Sequence, residues 1–536
     1  MEKNTMPLVS NTLVRRSLAG ATALALTASL AACTDSGPAA DDGAVDVLVA
    51  QSTAQVPVGE TPWAAALAAE TGCTVNWNTI DDTAWNQQKN PSLAAGDVPD
   101  IALRAVGTND AVQYPGLFED IAPHLDDLPN VRRFFEEKPE ARRLVENEKG
   151  EIHSLSSSRG SGYRGSGQHM MINRAWLDTL GLEVPRTWDE LTTVLQAFKT
   201  QDPNGNGQAD EVPFNVRRLE TAGFGWYSPF LLLNSTGIAT SFNKGPSAQG
   251  IHVSDGQVAN FLVSDEYRRV VAYLHELLAA GLIPADALTK DDSAYYAAQA
   301  GDGETAQIGL IFGWSLADFG DLRDQYVAMP APAASASMSA EDVVWDGSDN
   351  EYEGGKLAVS AAAAGDECVW KVVDALYSEK YSIQQFTGSI PEFVTDDGNS
   401  TYSVTEAYRA AVADGRDPAL ADRLAGWIPD SVTLNGDWNR DDLREVDDVY
   451  TEQYSHYDHV RDLMPDYVRL SAEDAITAAN NDTAVLNFAL QKTSQWIAEG
   501  GVDEEWDEYV AQLESIGLVQ NVELWQKAYD LATATS

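Results

Sequence analysis

Cysteine is nearly absent from this chain: 536 residues contain Cys33, Cys73 and Cys368 and no others. That excludes a disulfide framework and leaves no thiol enzyme with an evident partner. Basic residues are scarce as well. Lys and Arg number 35 against 82 Asp and Glu, giving a net charge of −47. Such a surface repels phosphate backbones and anionic headgroups at long range, so nucleic acid is excluded and polyanionic substrates are disfavoured. Neither a GxSxG elbow nor an HExxH pair is present, and no repeat of about 20 to 50 residues recurs. The seven His are scattered. His456 and His459 could share one helical face as metal ligands, but in a Tyr- and Asp-rich segment a solvated pair is the simpler reading.

What the chain does have starts at its N-terminus. Arg15 and Arg16 precede an uncharged, mostly apolar run from Leu18 to Leu30. Spanning a bilayer takes about 20 residues, so this run is too short. Basic residues, a short apolar core and a small-residue end describe a secretory signal over residues 1–32. The sequence Leu30-Ala31-Ala32-Cys33 resembles the lipobox of bacterial lipoproteins, which implies lipidation at Cys33. Residues 33–45, rich in Asp, Gly and Ala, read as a flexible tether. The expectation is a body held on the outer face of the cell membrane by lipid alone. An oxidising exterior permits a Cys73–Cys368 bridge, yet two cysteines make no framework and two buried free thiols are the simpler reading.

An apolar fraction of 44 % supports a real core, and roughly 500 residues after processing imply more than one globular unit. Val47–Val49 reads as a strand, Trp63–Glu70 as a helix, Thr74–Ile80 as a strand and Thr83–Ala95 as a helix. Asp100–Leu103 is a third strand, followed by a helix over Asn109–Pro115. This βαβαβ alternation predicts an α/β fold with a parallel sheet whose strand ends carry ligand loops. The turns at Gln51 and at Arg104 are therefore expected to face a cleft. A second α-rich region begins near residue 155. In it Thr187 and Glu190 form a capping box for a helix from Trp188 to about Lys199, with Leu191, Val194, Leu195 and Phe198 on one face.

That helix runs into "QDPNGNGQADEVPF", residues 201–214. Against a calcium loop of the EF-hand type, Asp202, Asn204 and Asn206 take positions 1, 3 and 5. Gly207 supplies the sharp turn, Gln208 a backbone carbonyl, and Asp210 position 9, with Glu211 beside it. Hard oxygens on alternate residues of a tight loop can be aimed at one point about 2.4 Å away. Position 12, normally a bidentate Glu, is Pro213, so Glu211 has to close the shell. The expected Ca2+ is structural, because the loop caps a helix.

"INRAWLDTLGLEVPRTWDELTTVLQAFKTQDPNGNGQADEVPF" resembles the solute-binding lipoproteins of bacterial ABC importers. It is most similar to the subgroup with the alginate-binding proteins, which carries a calcium loop of the form DPNGNGxxDE. "AAGDVPDIALRA", "YRRVVAYLHELLAAGLIPADAL", "AQIGLIFGW" and the C-terminal "GGVDEEWDEYVAQLESIGLVQNVELWQKAYD" resemble further parts of that family. The likeness covers roughly residues 45–325 and 470–536 and does not extend over 330–465. It implies a two-lobed periplasmic-binding-protein-like fold with a ligand cleft between the lobes and hinge crossovers. Residues 46–150 with about 305–365 are expected in lobe 1. Residues 151–304 with about 366–536 are expected in lobe 2. The implied partners are an oligosaccharide and the permease subunits of an ABC transporter, for a monomer that performs no catalysis.

Sugars present apolar C–H faces and a rim of hydroxyls, which aromatic rings and amide, carboxylate or guanidinium groups match. Most of the 14 Trp and 19 Tyr are expected to be packing, and Trp176, Trp188, Trp496, Trp506 and Trp525, inside helical patterns, read as core. Trp314, just past the strand "IGLIFG", is expected in the cleft. So are Trp226 and Tyr227, Tyr163 and Arg164 in a Gly/Ser-rich loop, Arg104 and Gln51 at strand ends, Asp437, Trp438 and Asn439, and Trp427, with Trp345 a weaker candidate. Two other readings remain. One is an extracellular glycoside hydrolase or lyase, which needs two carboxylates across one bond. The other is an adhesive surface lipoprotein.

Overall fold

The computed structural model describes residues 43–114, 116–219, 223–301, 303–420 and 424–534. The segment read as a signal peptide, Cys33 and most of the expected tether lie outside the described residues. Strand β1 (Ala44–Gln51) buries Val45, Val47 and Val49 in strict alternation with Asp46 and Leu48, the pattern that suits β-branched residues to a pleated face. The next helix, Pro62–Thr71, starts where the Thr61 hydroxyl accepts the Ala64 N–H and stops at Gly72, whose φ of 71° favours glycine. Strand β2 (Thr74–Asp81), a helix over Asp82–Ala95 capped by Asp81, and β3 (Ile101–Leu103) complete the expected alternation. Val47 pairs with Ile101 in a parallel register.

Beyond that point β4 (Leu155–Ser158), β5 (His169–Asn173), β6 (Val212–Asn215), β7 (Ile251–Ser254) and β8 (Gln257–Asn260) follow. Then come β9 (Ile308–Gly313), β10 (Tyr326–Met329), β11 (Tyr352–Val359), β12 (Val394–Gly398), β13 (Thr401–Val404) and β14 (Thr433–Asn435). The first lobe's sheet has the order β2-β1-β3-β11-β4, the second's β10-β5-β9-β6. The first sheet is mixed rather than parallel. β11 comes back from the other lobe and runs antiparallel to both β3 and β4.

Two lobes are present, but the chain is shared between them differently from the expected boundaries. All six residues of β9 are buried, so the strand needs a neighbour on each side, and it finds them in β5 and β6 of the second lobe. Helices Glu367–Leu376 and Glu379–Thr387 instead join the first lobe. Val369, Val372, Val373, Leu376 and Tyr381 share a core with Val47, Leu103 and Leu357. The helix Trp188–Thr200 forms as expected, with Leu191, Val194, Leu195 and Phe198 buried. Thr187 accepts the Glu190 N–H, while Glu190 reaches one residue further back, to the Arg186 N–H.

Three stretches pass between the lobes: β4 to β5, β10 to β11, and Trp427 to the helix Trp438–Asp447. Buried polar groups tie them together. Glu351, in the second stretch, takes the Lys138 ammonium at 2.7 Å and pairs with Arg164 of the first. Cys73 and Cys368 are bridged, with an S–S distance of 2.09 Å and Cα atoms 5.7 Å apart. The simpler reading of two free thiols is thus corrected: a helix start 295 residues downstream is brought against the residue preceding β2.

Candidate functional site

β9 ends at Gly313, so Trp314 leaves the second lobe's sheet at the strand's C-terminal end. Its backbone is fixed on both sides. Its N–H donates to Asp318 Oδ2 at 2.8 Å, and its carbonyl lies 2.8 Å from His169 Nδ1. The indole Nε1 donates to Asn439 Oδ1 at 3.3 Å. Asn439 sits in the first turn of the helix Trp438–Asp447, whose N-cap is Asp437. Trp226 reaches the same place from the other side. Its carbonyl accepts from Arg217 at 2.7 Å, and Asp292 holds that guanidinium in turn. The Trp226 and Trp314 rings lie 6.0 Å apart at 52°, both half-buried. Trp314 packs on the second lobe's core and also on a cluster formed by Tyr163, Phe386, Ile428 and Leu434.

Those four residues line a cavity of about 310 Å³, together with Arg159, Asp430, Asp437, Arg440 and Arg444. Its lining comes from the first lobe and the crossing stretches, while the two indoles come from the second lobe. Its charges are matched within the protein. Asp437 accepts the Tyr163 hydroxyl at 3.0 Å, Asp430 the Lys138 ammonium at 2.7 Å, and Arg444 pairs with Asp447 at 3.1 Å. Burial pushes both the Asp437 carboxyl and the Tyr163 phenol above their ordinary values. Burial also pushes Asp430 upward, but its hydrogen bonds to Lys138 and Ser161 hold it below the usual range. A wall of donors and acceptors without excess charge suits hydroxyl groups better than a polyanion.

The structure brings Trp314, Trp226 and Asn439 together and puts Tyr163 and Asp437 on the adjoining cavity. The Trp438 side chain lies outside the described residues. Other expectations are corrected. Tyr227 is buried behind the pair, with its N–H on Gln168 and its ring stacked on Tyr295. Arg164 turns away to Glu351 and Tyr352. The Arg104 side chain is 2 % exposed, against Gln55 and Asp82. Gln51 is occupied by the next turn, bonding the Val56 carbonyl and the Val58 N–H. Trp427 is core: its Nε1 donates to the Tyr377 carbonyl and its ring lies 5.3 Å from Phe134. Trp345 is core too, stacked on Tyr450 at 4.3 Å. Phe386, Ile428, Asp430, Arg440 and Arg444 were not anticipated, since they come from the region where the family likeness fails.

In the loop 202–211, Asn204 and Asn206 accept the N–H groups of Asn206 and Gln208, and Asp202 accepts that of Gly207. Asp210 is turned toward the amides of Asn204, Asn206 and Gln307. Among the described residues no group of three or more His, Cys, Asp or Glu is gathered as metal ligands. Two oxygens nevertheless fit a hard cation: Asp202 Oδ1 and Glu211 Oε1 are buried without a hydrogen-bond partner. Burial, reinforced by the charges of Asp202 and Asp210, raises the Glu211 carboxyl. His456 bonds the Val343 carbonyl and His459 rests on Tyr457, so they form no metal pair.

The sequence matches the family model for bacterial extracellular solute-binding protein over residues 49–383. A solved structure of an HMO-binding, ABC-transporter-associated solute-binding protein from Bifidobacterium longum infantis is 50 % identical, with a TM-score of 0.89. The match covers 91 % of this chain and 99 % of that one. An extracellular solute-binding protein from Bifidobacterium longum subsp. infantis is 49 % identical, with a TM-score of 0.89, and the match covers 91 % and 98 %. The fructooligosaccharide ABC transporter substrate-binding protein FusA of Streptococcus pneumoniae is 26 % identical, over 87 % of this chain and 86 % of its own.

Proposed function

The chain belongs to the bacterial extracellular solute-binding proteins, and from that premise we propose that it captures a neutral oligosaccharide by cleft closure and delivers it to an ABC permease. One observation carries the reading. Trp314, rooted in the second lobe's sheet, packs on both lobes and bonds Asn439 of the third crossing stretch. A sugar laid against the indoles, with its hydroxyls in the adjoining cavity, touches both lobes. That double contact lets a ligand favour the closed form over the open one. The volume of about 310 Å³ lies at the lower end of the range for small-ligand sites. Stacking on Trp226 and Trp314 supplies apolar area, and Asn439 and Arg440 supply directional hydrogen bonds. FusA is named for a fructooligosaccharide and the Bifidobacterium protein for HMO, so oligosaccharides of these kinds are the first ligands to try. No bond-breaking step belongs to this reading, and transport energy comes from a separate ATPase.

The reading extends to a monomer anchored at Cys33 on the outer face of the membrane. It also includes a structural Ca2+ held by Asp202, Asn204, Asn206, the Gln208 carbonyl, Asp210 and Glu211. When bound, the ion neutralises clustered carboxylates and pins the end of the helix Trp188–Thr200 to β6. Calorimetric titration of wild type and Trp314→Ala with a panel of fructooligosaccharides and other neutral oligosaccharides tests the sugar reading. The variant is expected to lose tenfold or more in affinity, equivalent to about 1.4 kcal/mol, with its melting curve retained. An unchanged dissociation constant removes Trp314 from the site, and cleavage products in the cell after titration turn the reading toward an enzyme.

A further inference from the structure

The two indoles lie on a floor made by a residue with no side chain. A Cβ built on Gly167 would stand 2.2 Å from Cζ3 and 2.6 Å from Cε3 of Trp314, and 2.9 Å from Cζ3 of Trp226. Carbon atoms in contact prefer about 3.5 to 4.0 Å. A single methyl here therefore displaces the Trp314 ring by more than about 1 Å. That ring cannot yield freely. Its Nε1 is bonded to Asn439, its backbone is held by Asp318 and His169, and it is packed on two clusters. Gly167 is not among the residues with positive φ, so its backbone does not require glycine. What excludes a side chain is the space taken by the rings.

The geometry points to Gly167 as a positioning residue for ligand recognition: its missing side chain seats Trp226 and Trp314 together and so sets where a sugar ring can stack. This rests on the indole pair being the sugar platform. Gly167 touches no ligand itself. It acts through the rings, and any larger residue would displace the Trp314 indole and strain its bond to Asn439. The neighbouring Gln168 supports the same arrangement, since its Oε1 accepts the Tyr227 N–H directly behind Trp226.

The clashing atoms Cζ3 and Cε3 belong to the outer ring of Trp314, and replacing Trp314 by Phe removes that part of the side chain. A double-mutant cycle follows. Wild type, G167A, W314F and G167A/W314F are titrated with three- and four-ring fructooligosaccharides. G167A is expected to weaken binding at least tenfold, whereas in the W314F background the same substitution changes affinity less than twofold. Binding by G167A within twofold of wild type overturns the proposal, and so does an equal loss in both backgrounds. If G167A melts early, a G167A/W314F melting curve that matches that of W314F supports the contact, and an equal loss from G167A in both backgrounds overturns it.

A ligand-free measurement separates this inference from the oligosaccharide reading. The Trp226–Trp314 contribution to near-ultraviolet circular dichroism, taken as wild type minus W226A, is expected to collapse in G167A. If no oligosaccharide binds wild type, the sugar reading fails. The ring positions are then decided by that difference spectrum alone, and an unchanged spectrum overturns the role of Gly167.

Discussion

Replacing Glu211 by Gln sets two effects against each other and so tests the calcium loop sharply. In the absence of a cation, Glu211 Oε1 and Asp202 Oδ1 are buried acceptors with nothing to accept from, and burial, reinforced by the neighbouring carboxylates, holds the Glu211 carboxyl above its ordinary range. An unsatisfied buried polar group costs about 1–3 kcal/mol. A Gln amide removes one charge and offers Asp202 a donor. In chelator, Glu211→Gln is therefore expected to be more stable than wild type by about 1–3 kcal/mol. Calcium reverses the order. At one hundred times its dissociation constant a cation stabilises the native state by about 2.7 kcal/mol, and the variant, lacking one ligand oxygen's charge, gains only a fraction of that. The assay is urea denaturation of both proteins in chelator and in millimolar Ca2+. A crossing of stabilities is the expected outcome. A variant less stable than wild type in chelator, or an equal response of both to Ca2+, refutes the reasoning.

Asp482 is half-buried and desolvation pushes its pKa up to about 6, with the hydrogen bond from Asn521 opposing the shift. A carboxyl raised in the folded state contributes stability that is present below its unfolded pKa and lost as pH rises through about 6. Asp482→Asn should therefore stabilise the protein by on the order of 2 kcal/mol at pH 7.5 and leave it unchanged at pH 4, as read by denaturation midpoints. Cys368→Ser opens the Cys73 bridge and should lower stability by about 2–4 kcal/mol without altering oligosaccharide affinity, since neither cysteine lines the cavity. Trp427→Ala should cost about 3–5 kcal/mol in urea denaturation, the range for emptying a buried aromatic site. A stable Trp427 variant that has lost sugar binding would return this residue to the cleft.

Local chemistry explains which parts of the molecule were legible in the chain. Caps and stops are written within a few residues: Thr61 and Gly72 bracket the first helix, and Thr187 opens Trp188–Thr200. The βαβαβ alternation follows from such signals. Partnership between distant strands does not. β9 reads as an apolar run whichever sheet receives it, and only its pairing with β5 and β6 assigns it to the second lobe. The tryptophans divide in the same way. The position of Trp314 in the fold is readable because it follows directly on a buried strand. Trp427 also lies near turns, yet its Nε1 finds a carbonyl 50 residues away and its ring goes inward. Gly167 carried a faint signal, the close spacing of glycines in "GYRGSGQ". The rings that make it necessary lie 59 and 147 positions downstream (226 − 167 and 314 − 167).

The placement of β11 between β3 and β4 has a consequence for how the polypeptide is made. The first three strands of that sheet have been synthesised by residue 103, and β4 by residue 158. The slot separating β3 from β4 stays empty until residues 352–359 leave the ribosome. The second lobe waits as well, because Tyr450, Val485, Trp496 and Leu513 belong to the same core as β5 and β9. Neither half can reach its final packing early, so both lobes are completed only when nearly the whole chain is available.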